Sequence, residues 1–418
     1  MTAPAFRARL AAARLRADER ARVAVRDRLR ALRQRGLAVP SRAPAGPRGR
    51  IIVLDMQVPR TDRNAGDRNI VDFMRTLGEA GWTVSYYPRD LRDDPLYSEP
   101  LRAIGVDVVA GPARPTLASW LRVHRDELRH ALVCRPTVAA AYLSVIRRHA
   151  DVPITYYGHD LHFARMRMEA EVLGRANVAA DAARIEALER WCWRRADVVI
   201  YPSAEEATTV SERCPGTIAC SVPIFRFDAF TPRAAMPAAK QVLFVGGFSH
   251  SPNIDAATWL ALEIWPAVRQ LEPEAQLRLV GANPPDEVRA LAGEGIAIPG
   301  AVSHEALTAL YANSRVAAVP LRIGAGMKLK VVESLALGVP LVTTSVGAQG
   351  LPGLDAVDDP QAFAAETARL LRLDAAQWLE QSSRQIAYAA ERFGEAAMRD
   401  ALEEVLAQAG ERHAERGK

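Results

Sequence analysis

No apolar run in the 418 residues approaches the ~18 that a membrane-spanning helix needs. Arginines interrupt every apolar stretch near the start, so no secretory signal peptide is expected. Cysteine is scarce. Cys134, Cys192, Cys214 and Cys220 show no paired metal-ligand spacing, and reduced thiols in a cytoplasmic protein are the expectation. HExxH, CxxC and Asp-x-Asp are all missing, which predicts no metal. No Ser–His–Asp or Cys–His arrangement stands out. Aromatic residues are only 6% and are not interleaved with the basic ones, so nucleic acid is not an expected partner.

Hydrophobic content of 49% and charged content of 25% are those of an ordinary globular chain, and the length suggests two or three domains. The net charge of +5 is uneven, because residues 1–35 hold eleven arginines against Asp18, Glu19 and Asp27. This arm reads as a helix with a thin apolar stripe of Leu15, Val23, Val25, Leu29 and Leu32. Two readings stay open: a basic helix drawn to an anionic membrane surface, or one solvated or packed against a partner. Residues 40–50 are a linker by composition.

Short apolar runs then alternate with helical stretches. Strands are predicted at 51–54, 83–87, 106–109, 131–134, 154–157 and 198–201, and a helix at 70–80. Such alternation implies βα units and a parallel sheet. Residues 222–239, with Pro223, Pro232 and Pro237, form the best domain boundary, and a second strand–helix series starts at Val242. Two amphipathic helices, 375–392 and 396–409, close the chain, with residues after Gly410 expected to fray. Trp191 and Trp193 are expected in the core or at a domain face.

The most informative segment is 324–351, GAGMKLKVVESLALGVPLVTTSVGAQGL. Gly324 and Gly326 precede Lys328 and Lys330 and a helix-forming run; Gly338 and Pro340 end it, and a buried strand at 341–344 follows. A glycine loop feeding a helix offers free N–H groups and a positive dipole end to an anion. The lysines suit phosphate, and Glu333, placed about two turns into the helix, could accept two ribose hydroxyls. A phosphate clamp beside a diol clamp describes a nucleotide-sugar site.

This segment resembles the C-terminal donor-binding domain of retaining glycosyltransferases of the GT-B fold, in the large bacterial group called family 4. Residues 242–260 (VLFVGGFSHSPNIDAATWL), 277–281 (LRLVG), 296–300 (IAIPG) and 316–320 (VAAVP) resemble that domain's earlier elements. In the N-terminal half, residues 51–59, 64–68 (NAGDR) and 156–162 (YYGHDLH) are similar more loosely. The resemblance implies an α/β fold of two Rossmann-like, doubly wound parallel-sheet domains with an inter-domain cleft. It gives an arm and linker at 1–48, an acceptor domain at 49–228, a donor domain at 229–390, and a final helix and tail at 391–418 that cross back to the first domain.

The implied activity is transfer of a sugar from a nucleotide diphosphate sugar, as co-substrate without a cofactor, to a hydroxyl of a surface or lipid-linked glycan, with retention. The implied location is the cytoplasm or the inner face of the membrane. Donor contacts would come from Glu333, Gly324, Gly326, Met327, Gly246 and Gly247, with Gly300 and Val302 near the nucleobase. Lys328 and Arg322 would face the diphosphate; Lys330 is expected to face away from Lys328. His159, past the strand 154–157, would touch the donor sugar, and Asp160 would bind it or orient the loop. Gly66 and Arg68 would approach acceptor or phosphate, or form a plain turn; His162 and Arg165 could assist.

The chain also departs from the family pattern. The first of two glutamates eight positions apart is here Ala325, and an Arg/Lys pair of the first loop is here Gly247 and Asn253. A nucleotide-sugar epimerase of the same fold, or a non-catalytic scaffold in glycan assembly, therefore stands beside the transferase reading.

Overall fold

The computed structural model describes residues 3–33, 45–61, 65–111, 114–172, 174, 176–324 and 326–417. Asn64, Ala325, and parts of the arm and of the linker at 40–50 lie outside the described residues. The chain divides into two compact units, Met1–Ile224 with Ala396–Lys418, and Phe225–Glu395.

The first unit is built on seven strands: β1 (Arg50–Asp55), β2 (Thr83–Pro88), β3 (Asp107–Val108), β4 (Leu128–Cys134), β5 (Ile154–Tyr157), β6 (Val198–Tyr201) and β7 (Ile218–Ser221). All neighbours are parallel, in the order β3-β2-β1-β4-β5-β6-β7. Strands β1, β5 and β6 are buried along their whole length. That is why they read as continuous apolar runs rather than alternating ones: a parallel sheet is covered on both faces. Edge strand β7 is half-exposed and weakly apolar, and the hydrophobic pattern did not predict it.

The helices of this unit are α1 (Ala3–Arg33), α2 (Ala65–Glu79), α3 (Pro95–Ala103), α4 (Leu117–Val123), α5 (Pro136–His149), α6 (His162–Val172), α7 (Ala176–Trp193) and α8 (Ala204–Arg213). Helix α1 lies against α5 and α7. It buries Ala12 and Val23. Its Glu19 is buried and pairs with Arg89, while Arg26 donates to the Tyr142 hydroxyl at 2.7 Å and to the Arg89 carbonyl. Helix α1 is thus packed on its own unit, an arrangement that neither reading of the arm specified. Trp193 is fully buried, its indole N–H on the Tyr201 hydroxyl at 3.0 Å.

The second unit has five parallel strands: β8 (Gln241–Val245), β9 (Gln276–Val280), β10 (Ile296–Gly300), β11 (Val316–Val319) and β12 (Leu341–Thr343), in the order β10-β9-β8-β11-β12. Its helices are α9 (Ser251–Trp259), α10 (Trp265–Leu271), α11 (Asp286–Arg289), α12 (His304–Ala312), α13 (Leu329–Ala336), α14 (Pro360–Leu371) and α15 (Ala375–Phe393). Helix α13 ends at Gly338, whose φ of 62° is left-handed and where a Cβ would meet Ser382 Oγ at 2.4 Å. Helix α15, started by a capping box of Asp374 and Gln377, supplies that serine.

The last helix, α16 (Glu395–Arg416), belongs to the first unit from Ala396 onward. Thr76 Oγ1 donates to Met398 Sδ at 3.4 Å, and Arg48 pairs with Glu403 at 2.9 Å. The tail does not fray after Gly410. Arg416 pairs with the buried Asp197 at 2.9 Å, and His413 lies 3.1 Å from Asp151, so charge at the sheet's lower edge holds the final turn. Among the described residues, no helix is long and apolar enough to cross a membrane.

The arm yields a stability prediction. Glu19→Ala leaves Arg89 without its carboxylate in a largely desolvated position, and about 3 kcal/mol should be lost. Denaturant unfolding should record the loss, and hydrogen exchange should speed up in α5 and α7. Unchanged exchange there would mean that α1 contributes nothing to the stability of the body.

Candidate functional site

In both sheets the strand order reverses beside the first strand, between β1 and β4 and between β8 and β11. Connections from those strands leave in opposite directions and open a crevice at their carboxyl ends, the usual ligand position in doubly wound sheets. Chemistry-bearing residues gather at both points.

In the second unit, β8 runs into Gly246 and Gly247. A Cβ on Gly281, just past β9, would meet the Gly246 carbonyl oxygen at 1.9 Å, so backbone packs on backbone there. Asn253 binds the loop, its Nδ2 donating to the Gly247 carbonyl at 2.7 Å. The Asn253 amide oxygen accepts from Lys330 Nζ, and that ammonium lies 4.9 Å from the Phe244 ring centroid. A Cβ on Gly246 would come within 2.9 Å of the same ammonium. Burial, helped by the charge of Lys328, pulls the Lys330 pKa down to about 7, with Glu333 acting in the opposite sense.

Lys330, expected to face away from Lys328 and ranked below it, is therefore buried beside the Gly246 loop. It reaches the glycine loop from α13, at the place where the resemblance puts a lysine and this chain has Asn253. Lys328 is the N-cap of α13, and its Nζ donates to the Gly326 carbonyl and lies 3.3 Å from Gln349 Oε1. Gly326, at φ 69°, takes a left-handed turn just before Met327 and the helix. Gly324 packs close under Lys328, where a Cβ would meet Lys328 Cε at 2.8 Å. Glu333 is in the second turn of α13, nearer its start than the expected two turns, and its Oε2 accepts from the Tyr311 hydroxyl at 3.3 Å.

Arg322 is engaged elsewhere. Its guanidinium forks onto Asp255 at 3.1 and 2.5 Å and lies 5.0 Å from the Trp259 ring centroid. Its charge is already matched within the protein, which weakens the diphosphate role expected for it. Gly300, at φ 76°, ends β10, and its carbonyl accepts from Gly281 N–H at 3.1 Å. Val302 is half-buried against the cluster of Leu243, Val280, Tyr311, Ala317 and Val339.

In the first unit, Asp55 ends β1, Cys134 ends β4, and His159 follows β5. Arg135 adopts φ 66° and swings its guanidinium across the sheet end. Its Nε donates to Asp55 at 2.7 Å and its Nη2 to Asp67 at 3.1 Å. Burial raises the Asp55 pKa, with Arg135 opposing it. Asp67 also accepts from Arg60 N–H at 2.8 Å. It sits between Gly66 and Arg68 in the first turn of α2, so the positive end of that helix already faces a carboxylate of the protein.

His159 also has positive φ, 68°, and its ring stacks on Tyr157 with centroids 4.2 Å apart. Gly158 makes room beneath it, since a Cβ there would come within 2.2 Å of the Tyr201 ring. The His159 side chain is 8% exposed, and neither ring nitrogen has a hydrogen-bond partner; Nε2 lies 3.7 Å from Asp55 Oδ2. Burial, reinforced by Arg135 and His162, depresses its pKa far below the usual imidazole value, leaving a neutral ring.

One ligand atom each from Asp55, Cys134 and His159 lies within 4.8 Å of the others. This is a possible metal grouping that no sequence spacing signals, although Arg135 already holds the other Asp55 oxygen. Asp160, expected to bind the sugar or orient the loop, pairs with His162 and with Arg165, both at 2.9 Å. Burial disfavours charge on His162, but Asp160 and Glu189 outweigh it and raise its pKa to about 10.

Sequence reasoning ranked Lys330 below Lys328, read Asn253 only as a missing cation, and did not single out Tyr311 in the second unit or Asp55, Asp67 and Arg135 in the first. Only Asp55 carried a local signal, a charged residue closing an apolar strand.

Arg135→Met should leave Asp55 and Asp67 buried without a cation. About 3–5 kcal/mol should be lost from the first unit, read as a lower denaturation midpoint. A variant as stable as the parent would show that the two carboxylates find other partners.

Residues 239–373 match the family model described as Glycosyl transferases group 1. No curated protein matches the sequence. Sucrose-phosphate synthase of Thermosynechococcus elongatus superposes with TM-score 0.65 at 18% identity, over 86% of this chain and 98% of that one. Anabaena HepE in complex with UDP and glucose superposes with TM-score 0.61 at 16% identity, over 86% of this chain and 99% of that one. The N-terminal domain of Candida albicans trehalose-6-phosphate phosphatase gives TM-score 0.59 at 10% identity, over 88% and 99%. Residues 239–373 are thus similar to the glycosyl transferases group 1, and the two parallel sheets have the fold of the GT-B glycosyltransferases.

Proposed function

We propose that the protein transfers a sugar from a nucleotide diphosphate sugar to a hydroxyl acceptor with retention at the anomeric carbon. The observation that carries this reading is the convergence of Lys330, Lys328, the Gly246 loop and the start of α13 at one sheet crevice. Two ammonium groups and the positive dipole end of α13 form an anion site, and Glu333 on the same helix is a diol acceptor. A HepE structure containing UDP-glucose supports a donor of this class for the fold.

In this scheme the diphosphate gains negative charge as the glycosidic bond breaks. Lys328 and Lys330 stabilise that charge in place of the first-loop cations absent at Gly247 and Asn253. The departing phosphate oxygen takes the acceptor proton on the same face of the sugar, so no protein carboxylate serves as base. The scheme requires no divalent cation or cofactor, because the lysines supply the charge. His159, neutral and with both nitrogens unpartnered, is proposed as a hydrogen-bonding group for a hydroxyl at the crevice of the first unit. The acceptor is proposed to be a surface or lipid-linked glycan, the setting implied by the family resemblance, reached from the cytoplasm or the inner membrane face.

Glu333→Ala should weaken binding of the preferred nucleoside diphosphate about ten- to hundred-fold, the equivalent of a lost charged hydrogen bond of ~1.5–3 kcal/mol. Calorimetric titration over uridine, guanosine, thymidine and adenosine diphosphates identifies the base and reads the loss. Unaltered affinity would remove Glu333 from the ribose.

The lowered Lys330 pKa makes donor binding pH-dependent. Free Lys330 loses its proton above about pH 7, while a bound diphosphate stabilises the charged form and raises that pKa. Affinity should therefore fall as pH rises through 7 and beyond, with proton uptake visible as a buffer-dependent binding enthalpy. Lys330→Met should bind more weakly and lose the uptake. Proton uptake persisting in Lys330→Met would assign the titration to another group.

A further inference from the structure

On the first unit, α1, α6 and α7 border a cavity of about 730 Å³, lined by residues other than those of the two sheet crevices. Five arginines line it, Arg9, Arg16, Arg167, Arg190 and Arg194, against the single carboxylate of Glu186. That carboxylate is already shared: Arg167 pairs with it, Arg213 lies 2.7 Å away and Arg190 3.7 Å away. Among the described residues, Arg16 and Arg194 have no carboxylate partner. Arg16 and Arg195 instead lie over the Trp191 indole, 5.0 and 4.5 Å from the ring centroid. Burial, and then repulsion from neighbouring guanidinium groups, lowers the pKa of both Arg16 and Arg195.

We propose that this cavity binds a ligand carrying closely spaced phosphate groups. Like charges gathered in one partly desolvated cavity repel one another, and a ligand with several negative oxygens would relieve that repulsion. All the cations are arginines, whose planar forks each take two oxygens of a phosphate, and the Trp191 face lies among them. The volume exceeds a single phosphate and is of the size that holds a small organic ligand. The helical arm supplies Arg9 and Arg16, so packing of the arm creates the site. The phosphates could belong to a soluble compound or to lipid headgroups, and the chemistry of recognition is shared. The inference is independent of the proposed sugar transfer, since none of the residues lining this cavity takes part in that proposal.

Inorganic pyrophosphate is the probe for the soluble source. Titration should be done on the full chain carrying Lys328→Ala and Lys330→Ala, so that the donor crevice does not contribute. One pyrophosphate should still bind, more weakly at high salt. Adding Arg16→Gln and Arg194→Gln should weaken it at least tenfold; should that variant fold poorly, Arg9→Gln with Arg194→Gln changes only exposed positions. Co-sedimentation with vesicles of phosphatidylcholine and phosphatidylglycerol, against phosphatidylcholine alone, tests the lipid source. Capture by the anionic vesicles that is lost with the groove substitutions assigns lipid headgroups. Pyrophosphate binding without vesicle capture assigns a soluble ligand. Absence of both, or binding that the groove substitutions leave unchanged, overturns the proposal.

Discussion

A guanidinium held between two buried carboxylates at the carboxyl end of the first sheet is the constraint on which that unit depends. Arg135 reaches Asp55 at the end of β1 and Asp67 at the start of α2, and so ties a strand, its following helix and the neighbouring strand together. Its left-handed backbone is the cost of that reach, and His159 repeats the same backbone conformation one strand over. Buried charge of this kind is weak as a source of stability but strict about geometry, because each partner is expensive to leave alone. The neutral imidazole of His159 follows from it. The ring is desolvated beside a fixed cation and cannot hold a second positive charge.

The second unit meets the corresponding demand with an ammonium group. Lys330 is drawn against the Gly246 loop by the Asn253 amide and the Phe244 ring, in a place too desolvated to hold its proton firmly. The glycines keep backbone close to backbone, and the charge comes in from the next crossover rather than from the loop itself. A chain lacking the loop cations of its relatives can thus carry positive charge at the same crevice from another element. Arg322 shows the converse. It lies in the expected motif, but Asp255 matches its charge.

The arm connects composition to packing. Its arginines gave the sequence its uneven charge, yet several of them are structural partners: Arg26 binds Tyr142, and Arg16 covers Trp191. The same packing that buries Ala12, Glu19 and Val23 brings the remaining guanidinium groups to the arginines of α6 and α7.

Local pattern determined much of this protein. Strands β5 and β6 fall on the residues that their apolar runs mark, and α13 ends before Gly338, whose left-handed backbone is followed by a proline at 340. The expectation of an anion and diol site in the glycine–lysine–glutamate segment rested on helix ends and charge spacing, which act over a few residues. Strand β7 escaped, since an edge strand needs few apolar side chains, and the tail beyond Gly410 escaped because its order comes from Asp197 and Asp151, far away in sequence. The direction of Lys330, the neutralisation of Arg322, and the meeting of Asp55, Asp67, Arg135 and His159 were decided only by the tertiary structure. Each depends on which charge stands opposite and how little water reaches it, and both are properties of distant residues brought together by the sheets.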